Sequence, residues 1–174
     1  IPYQQFEFIK KLKMTKKEIK DELKDIEGQP EVRQKIRQKQ RDLAQQRMLE
    51  DVPTADVVIT NPQHFAIALL YDVSKDEAPK VVAKGKNLMA KRIRERAQDA
   101  EVEIFEAPLL ARALYFTTEA GGFIPPGLFF AVAQVIAYVY NLNSLTPTME
   151  KPARPKPKIP PELIFDELGQ QAEA

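Results

Sequence analysis

The chain reads DVVITNPQHFAIALLY over residues 56–71. Two apolar runs, residues 56–60 and 65–71, flank the tetrapeptide NPQH at residues 61–64. Short apolar runs rich in β-branched and aromatic residues are typical of buried strands. Asn and Pro favour turns, and proline fixes one backbone angle. The stretch therefore predicts two buried strands that clamp a tight turn, a setting that is able to hold a strained backbone.

Strand and helix patterns alternate after this pair of strands. We expect further strands at residues 80–84 and 102–105, and helices at residues 86–99, at residues 108–117 and after Pro125. Strands that are apolar on both faces and mix with helices indicate a covered sheet. The predicted architecture is a small α/β sandwich with a four-stranded mixed sheet and about four flanking helices, preceded by a long helical linker. Helical spacing predicts the inward-facing positions: Leu88, Met89, Ile93 and Ala97 in the first helix, and Phe129, Val132, Ala133, Ile136 and Tyr140 in the last.

Residues 1–52 form the predicted linker, which is basic. Its first fifty residues carry 13 Lys and Arg against 9 Asp and Glu, and their apolar positions are sparse. Thr15 and Glu18 fit a capping box that opens a helix. Gly28 and Pro30 are expected to end that helix, and a second helix follows. So little apolar surface predicts an extended, mobile arm.

Residues 53–143 form the predicted compact domain, and residues 144–174 the predicted tail. Six prolines fall within fifteen residues of the tail, with Lys and Arg between them. This composition indicates a disordered segment with polyproline character. The chain starts at Ile1 instead of Met, so we expect it to be a piece of a longer or processed protein.

Several functional classes are excluded or poorly supported by composition. The chain has no cysteine and one histidine, which excludes disulfides, thiolate metal sites and multi-histidine metal sites. It contains no glycine-rich phosphate loop, nucleophile elbow or HExxH motif, so we expect no cofactor and no metal. Acidic residues are mixed into the basic linker without interleaved aromatic residues, which argues against a nucleic-acid partner.

The Asn61-Pro62 pair has an unusual chemical liability. Pro62 has no backbone N–H, so the usual deamidation route is closed. The Asn61 side-chain nitrogen remains able to attack its own main-chain carbonyl carbon, which closes a succinimide and breaks the bond to Pro62. His64, the single histidine, is the candidate proton acceptor, directly or through a water, because an imidazole nitrogen is a common general base in proteins. The alternative is that the tetrapeptide is only a turn.

Five stretches resemble the FlhB/YscU family, the substrate-specificity switch of type III export machines. The first three carry the general family resemblance, and the last two are similar to its flagellar branch. They are VITNPQHFAIAL at residues 58–69, APKVVAKG at 78–85, EAPLLARALY at 106–115, AVAQVIAYVY at 131–140 and KKEIKDE at 16–22.

The resemblance implies the cytoplasmic domain of a flagellar protein export gate. In this family the chain cuts itself once, here between Asn61 and Pro62, and cargo changes from rod and hook subunits to filament subunits. It is thus single-turnover autoproteolysis without an external substrate. A transmembrane domain is implied before Ile1, which places residues 1–20 near the cytoplasmic face of the bacterial inner membrane. The implied partners are export-gate membrane components, other export-apparatus proteins, exported rod and hook subunits, and a hook-length control protein.

Position 63 departs from the family motif Asn-Pro-Thr-His, because Gln63 stands where the family has Thr. Cleavage chemistry needs Asn61, Pro62 and His64, so we expect cleavage to survive. The alternative is an uncleaved cargo-docking scaffold of the same fold, flagellar or injectisome, in which Gln63 impairs the cut. A basic-helix nucleic-acid-binding protein ranks far below both.

A second hypothesis concerns cargo docking. Ala107, Pro108, Leu109 and Leu110 form an apolar stretch at the end of the fourth predicted strand. Exposed apolar patches mark docking sites, whereas apolar residues in a domain this size more often belong to the core. Both interpretations stay open on the sequence.

Overall fold

The computed structural model of the protein describes residue 7 and residues 16–75, 77–144 and 152–171. The chain divides into two units, Ile1–Gln45 and Gln46–Ala174. Most of the predicted membrane-proximal region, residues 1–20, lies outside the described residues. Among the described residues, no helix is both long enough and apolar enough to span a bilayer.

Helix α1 spans Lys16–Asp51 and includes Pro30. The predicted break at Gly28 and Pro30 is therefore wrong. A proline inside a helix removes one hydrogen bond and crowds the preceding turn. The residues that follow Pro30 are mostly Gln, Glu, Arg and Lys, which are strong helix formers, and they continue the helix beyond it.

The four-stranded mixed sheet is confirmed. Its strands are β1 (Val57–Asn61), β2 (Phe65–Leu70), β3 (Lys80–Lys86) and β4 (Glu103–Glu106), and their order is β3-β2-β1-β4. Strand β1 pairs antiparallel with β2 and parallel with β4. All five residues of β1 are buried and β1 lies between β2 and β4, so the strand that precedes the turn is an interior strand covered on both faces.

Three helices follow in the second unit: α2 (Leu88–Asp99), α3 (Pro108–Thr117) and α4 (Phe129–Ser144). One face of the sheet packs on α3 and α4 through residues such as Val57 and Ile59. The opposite face, which includes Val58, packs on α2 and on the end of α1. Successive residues of β1 thus point into two separate cores, which explains why a strand with no polar alternation forms here.

Two predicted inward faces need correction. Leu88 is 64% exposed, and Ala90, Ile93 and Ala97 form the buried face of α2. In α4, Phe129, Ala133 and Tyr140 are exposed. The buried α4 residues are Ala131, Val132, Val135, Ile136 and Val139. Helix α4 is apolar almost all round, so its sequence period does not single out one face.

The described part of the tail, residues 152–171, is mostly irregular, with one 3-10 helix at Pro161–Leu163, and it contacts the domain. Ile159, Leu163 and Phe165 pack against the core on the α3 and α4 side of the sheet. The Arg154 guanidinium lies over the Phe105 ring, with 4.6 Å between the guanidinium carbon and the ring centroid. This part of the predicted disordered tail is thus held by apolar and cation–π contacts.

Candidate functional site: the turn at Asn61

The predicted turn is formed by residues 61–64 between β1 and β2. Asn61 is the last residue of β1 and pairs with Phe65, the first residue of β2. The His64 backbone N–H donates to the Asn61 carbonyl oxygen at 3.0 Å, which closes the turn. Asn61 is buried at 8% exposure, whereas Pro62 and Gln63 are exposed. The bond between Asn61 and Pro62 therefore lies where the buried strand meets the surface.

The carbonyl that would be attacked already accepts a hydrogen bond. Attack on the Asn61 carbonyl carbon places negative charge on its oxygen, and a fixed backbone N–H on that oxygen stabilises such charge. The donor is the N–H of His64, within the same tetrapeptide. The turn therefore supplies one oxyanion-stabilising donor by its own geometry.

A second element, the junction of β3 and α2, holds the turn from outside. The Asn87 backbone N–H donates to the His64 carbonyl oxygen at 2.8 Å. Arg94 of α2 donates through Nη1 to the Pro62 carbonyl oxygen. Asn87 has φ 51°, a region that residues other than glycine seldom adopt. Neither Asn87 nor Arg94 was predictable as part of the site, because neither is near the turn along the chain.

His64 is partly exposed and faces a carboxylate. Its side chain is 41% exposed, and Nε2 lies 3.7 Å from Oε1 of Glu167. Within the part of the chain that the structure describes, no hydrogen bond joins the Asn61 amide to the His64 imidazole. The structure thus brings Asn61, Pro62 and His64 into one turn, and a proton passing from Asn61 to His64 would need a bridging water or a side-chain rotation.

The predicted docking stretch is split between the core and the surface. Ala107 and Leu110 are buried, whereas Pro108 is exposed and Leu109 is 43% exposed. Pro108 is the first residue of α3, which turns successive side chains to different sides of the helix.

A second apolar surface lies in a groove of about 500 Å³ between the end of β2 and α4. The groove is lined by residues that include Tyr71, Pro79, Phe129, Ala133 and Tyr140. The Tyr140 hydroxyl donates to Oδ1 of Asp56 at 3.4 Å. Partial burial, and then the negative charge of Asp56, raise the pKa of Tyr140. The hydroxyl therefore stays neutral at physiological pH and acts as a donor. The groove was not predicted from the sequence, because helical spacing placed Phe129, Ala133 and Tyr140 in the core.

Comparison with known proteins decides the family. The sequence model of the FlhB HrpN YscU SpaS family matches residues 1–139. The chain belongs to this family. It is 51% identical over 141 residues to the flagellar biosynthetic protein FlhB of Salmonella typhimurium, a match that covers 81% of this chain and 37% of the relative. The FlhB of Bacillus subtilis is 48% identical over 139 residues, covering 80% of this chain and 39% of the relative. The chain thus spans well under half the length of these FlhB relatives.

Solved structures agree with the family. The cytoplasmic domain of FlhB from Shewanella putrefaciens is 44% identical with a TM-score of 0.59, and the match covers 70% of this chain and 95% of that one. A C-terminal domain of EscU with an Asn-to-Asp substitution is 29% identical with a TM-score of 0.51, covering 53% and 98%. The α/β fold of this chain is therefore the fold of FlhB-type cytoplasmic domains, and the resemblance seen in its motifs is confirmed.

Proposed function

We propose that this chain is the self-cleaving cytoplasmic part of a flagellar type III export gate at the bacterial inner membrane. It cuts itself between Asn61 and Pro62, and the cut changes the exported cargo from rod and hook subunits to filament subunits. The observation that carries the proposal is the placement of an Asn-Pro bond at the buried end of the central strand, with its carbonyl oxygen already held by the His64 N–H.

The proposed reaction is a rearrangement of the chain that adds no atoms and removes none. The Asn61 Nδ2 forms a bond to the Asn61 main-chain carbonyl carbon, and the bond from that carbon to the Pro62 nitrogen breaks. A proton leaves Nδ2 for the His64 imidazole, through a water, and a proton is delivered to the Pro62 nitrogen. The products are a C-terminal succinimide at Asn61 and a free secondary amine at Pro62. Each chain reacts once, so the chain turns over no external substrate.

The cut changes the charge of the turn. An N-terminal amine is protonated at neutral pH to a substantial extent, so a positive charge appears on Pro62. The Arg94 guanidinium already contacts the carbonyl oxygen of that same residue. Two like charges a few ångströms apart repel, so we expect the new end to move away from Arg94. This movement would change the surface that export partners meet at residues 61–64.

The specificity switch is testable in a flagellated strain that produces the full-length protein carrying this domain. Asn61→Ala is expected to leave rod and hook export intact and to lower filament-subunit export at least tenfold. The reason is that the uncut turn keeps the conformation that it has before cleavage. The secreted subunits are measured in the culture medium. Asn141→Ala, a change at an exposed asparagine of α4, is the control and should export normally. Normal filament export by Asn61→Ala would remove the switch from this proposal.

The alternative scaffold, in which Gln63 impairs the cut, predicts one uncut chain on a denaturing gel. In that case Gln63→Thr would produce the two pieces. Gln63 is exposed and its amide is not part of the hydrogen bonds that hold the turn among the described residues, so we expect Gln63→Thr to leave cleavage in place.

Cargo docking at residues 107–110 rests on Pro108 and Leu109, the two exposed members of that stretch. Pro108→Asp is expected to lower rod and hook export several-fold without unfolding the domain, because an acidic residue is favourable at a helix N-terminus. Secreted subunits and thermal melting are the two measurements. Ala133→Asp makes the matched change in the groove along α4. Loss of export in Ala133→Asp alone would assign docking to the groove and remove it from Pro108 and Leu109.

A further inference from the structure

We propose that residues 159–171, here called the strap, dock beside the cleavage turn and that Glu167 in the strap is a positioning residue for His64. This inference rests on the proposed self-cleavage, because it assigns the strap a part in that reaction. The sequence predicts only a disordered tail at this place. Docking is supported by apolar contacts, by the strap's own hydrogen bonds and by its contacts with the turn.

Aromatic contacts anchor the strap on helix α3. The ring centroids of Phe165 and Phe116 are 5.6 Å apart. Gly169, with φ +86°, lies directly on the Phe116 ring, since a Cβ atom added there would fall 2.7 Å from the ring edge. Earlier in the strap, the Leu163 side chain lies against Gly127, where an added Cβ atom would fall 2.8 Å from Leu163 Cδ1. Glycine at both positions lets the backbone lie directly against a side chain of the other segment, so the strap fits the domain closely.

The end of the strap is an ordered turn. Asp166 accepts two backbone N–H bonds through Oδ1, from Leu168 at 2.9 Å and from Gln170 at 2.8 Å. Its own backbone N–H donates to the Gln170 carbonyl oxygen at 2.9 Å. Asp side chains commonly close such turns. Glu167 lies inside this turn, so its position is fixed by bonds that do not depend on the cleavage site.

Glu167 reaches the cleavage turn by two contacts. Its carboxylate Oε1 lies 3.7 Å from His64 Nε2, and its carbonyl oxygen accepts a hydrogen bond from Lys86 Nζ at 3.4 Å. The Lys86 ammonium lies 5.5 Å from the centroid of the Phe65 ring, and Phe65 in turn packs on Phe116 with centroids 5.7 Å apart. The strap therefore contacts His64, which ends the turn, and it contacts Lys86 and Phe116, which both lie against Phe65.

A carboxylate next to one imidazole nitrogen has a definite chemical effect. It favours the tautomer that carries the proton on that nitrogen, here Nε2, and leaves Nδ1 as the proton acceptor. Glu167 would thus hold His64 ready to accept the Asn61 proton. His64, Lys86, Phe116 and Gly127, which the strap contacts, all follow the Asn61-Pro62 bond in the chain, so the strap stays beside the turn after the cut.

Docking is tested without cleavage, in the 174-residue chain with Asn61→Ala. Since His64 is the only histidine, the proton on its Cε1 atom gives one assignable NMR signal. Phe165→Ser and Glu167→Gln are expected to shift that signal. Leu168→Ser, at a strap residue that is 79% exposed, and Glu162→Gln, which removes an exposed charge of the same segment, are the matched controls and should leave it in place. An unmoved signal in Phe165→Ser would overturn docking.

The part in the reaction is tested by the same variants with Asn61 restored. Phe165→Ser and Glu167→Gln are expected to slow first-order cleavage roughly two- to fivefold, while both controls cleave at the original rate. This factor corresponds to the energy of one exposed ion pair, here Glu167 with a His64 that has accepted the proton. If the NMR signal shifts but the cleavage rates do not change, the strap docks on the domain and the role of Glu167 in the reaction is overturned. If no chain cleaves, the self-cleavage proposal and the role of Glu167 fail together, and the NMR signal still decides docking.

Discussion

Asn61→Ala is expected to leave the chain in one piece on a denaturing gel, whereas the unchanged chain separates into residues 1–61 and 62–174. Alanine has no side-chain nitrogen, so the attack on the carbonyl carbon does not occur. Intact mass spectrometry identifies the chemistry. Because cyclisation neither adds nor removes atoms, the masses of the two pieces sum to the mass of the uncut chain until the succinimide hydrolyses and adds one water.

The same experiment distinguishes self-cleavage from a contaminating protease. Asn141→Ala, at an exposed helical position, should cleave like the unchanged chain. Under native conditions the two pieces should elute together, because β1 belongs to the first piece and pairs with β2 and β4 of the second. Identical pieces from the Asn61→Ala chain would show that an external protease makes the cut. Pieces that separate without denaturant would contradict the expected cohesion.

Phe105→Ala is expected to lower the free energy of unfolding by about 3–5 kcal/mol, the usual cost of removing a large buried ring. Phe105 is 1% exposed, and its ring packs edge-on against Tyr138 with centroids 5.6 Å apart. Chemical denaturation measures the effect. The Asn61→Ala background keeps the chain in one piece, so that unfolding is not coupled to separation of fragments.

Phe130→Ala is the matched control for this prediction. Phe130 is 67% exposed on α4, and exposed substitutions usually change stability by less than about 0.5 kcal/mol. The two variants lose the same atoms, so the difference between their free energies of unfolding mainly reflects the burial of Phe105 and its ring contacts. Equal destabilisation by both would contradict the assignment of Phe105 to the core.

The central part of the fold was predictable because its signals are local. The apolar runs around residues 61–64 define two strands, and Asn61 with Pro62 defines the turn between them. Helix boundaries at Pro108 and Thr117 also follow from the sequence. Which face of α4 is buried did not follow, because a helix that is apolar all round packs according to its neighbours and not its own period.

The surroundings of the site were not predictable from the sequence, for a physical reason. Arg94 contacts Pro62 across 32 residues of chain, and Lys86 contacts Glu167 across 81. Such contacts depend on how distant elements pack, and single-sequence patterns report only near neighbours. In the tail, proline content predicted disorder, but Leu163 and Phe165, which follow the last proline, were a usable signal, since apolar residues in a polar segment often mark an anchor.

The central position of β1 has a consequence for the two-piece protein. After the proposed cut, the domain would be a complex of two pieces. The first piece, residues 1–61, would contribute β1, which lies between β2 and β4 of the second piece. Pulling that strand out would bare the backbone edges of β2 and β4 at the same moment, and unpaired edges readily capture strands from other molecules. A cut made at this place thus converts one folded chain into an obligate pair, because either piece alone would be prone to aggregate.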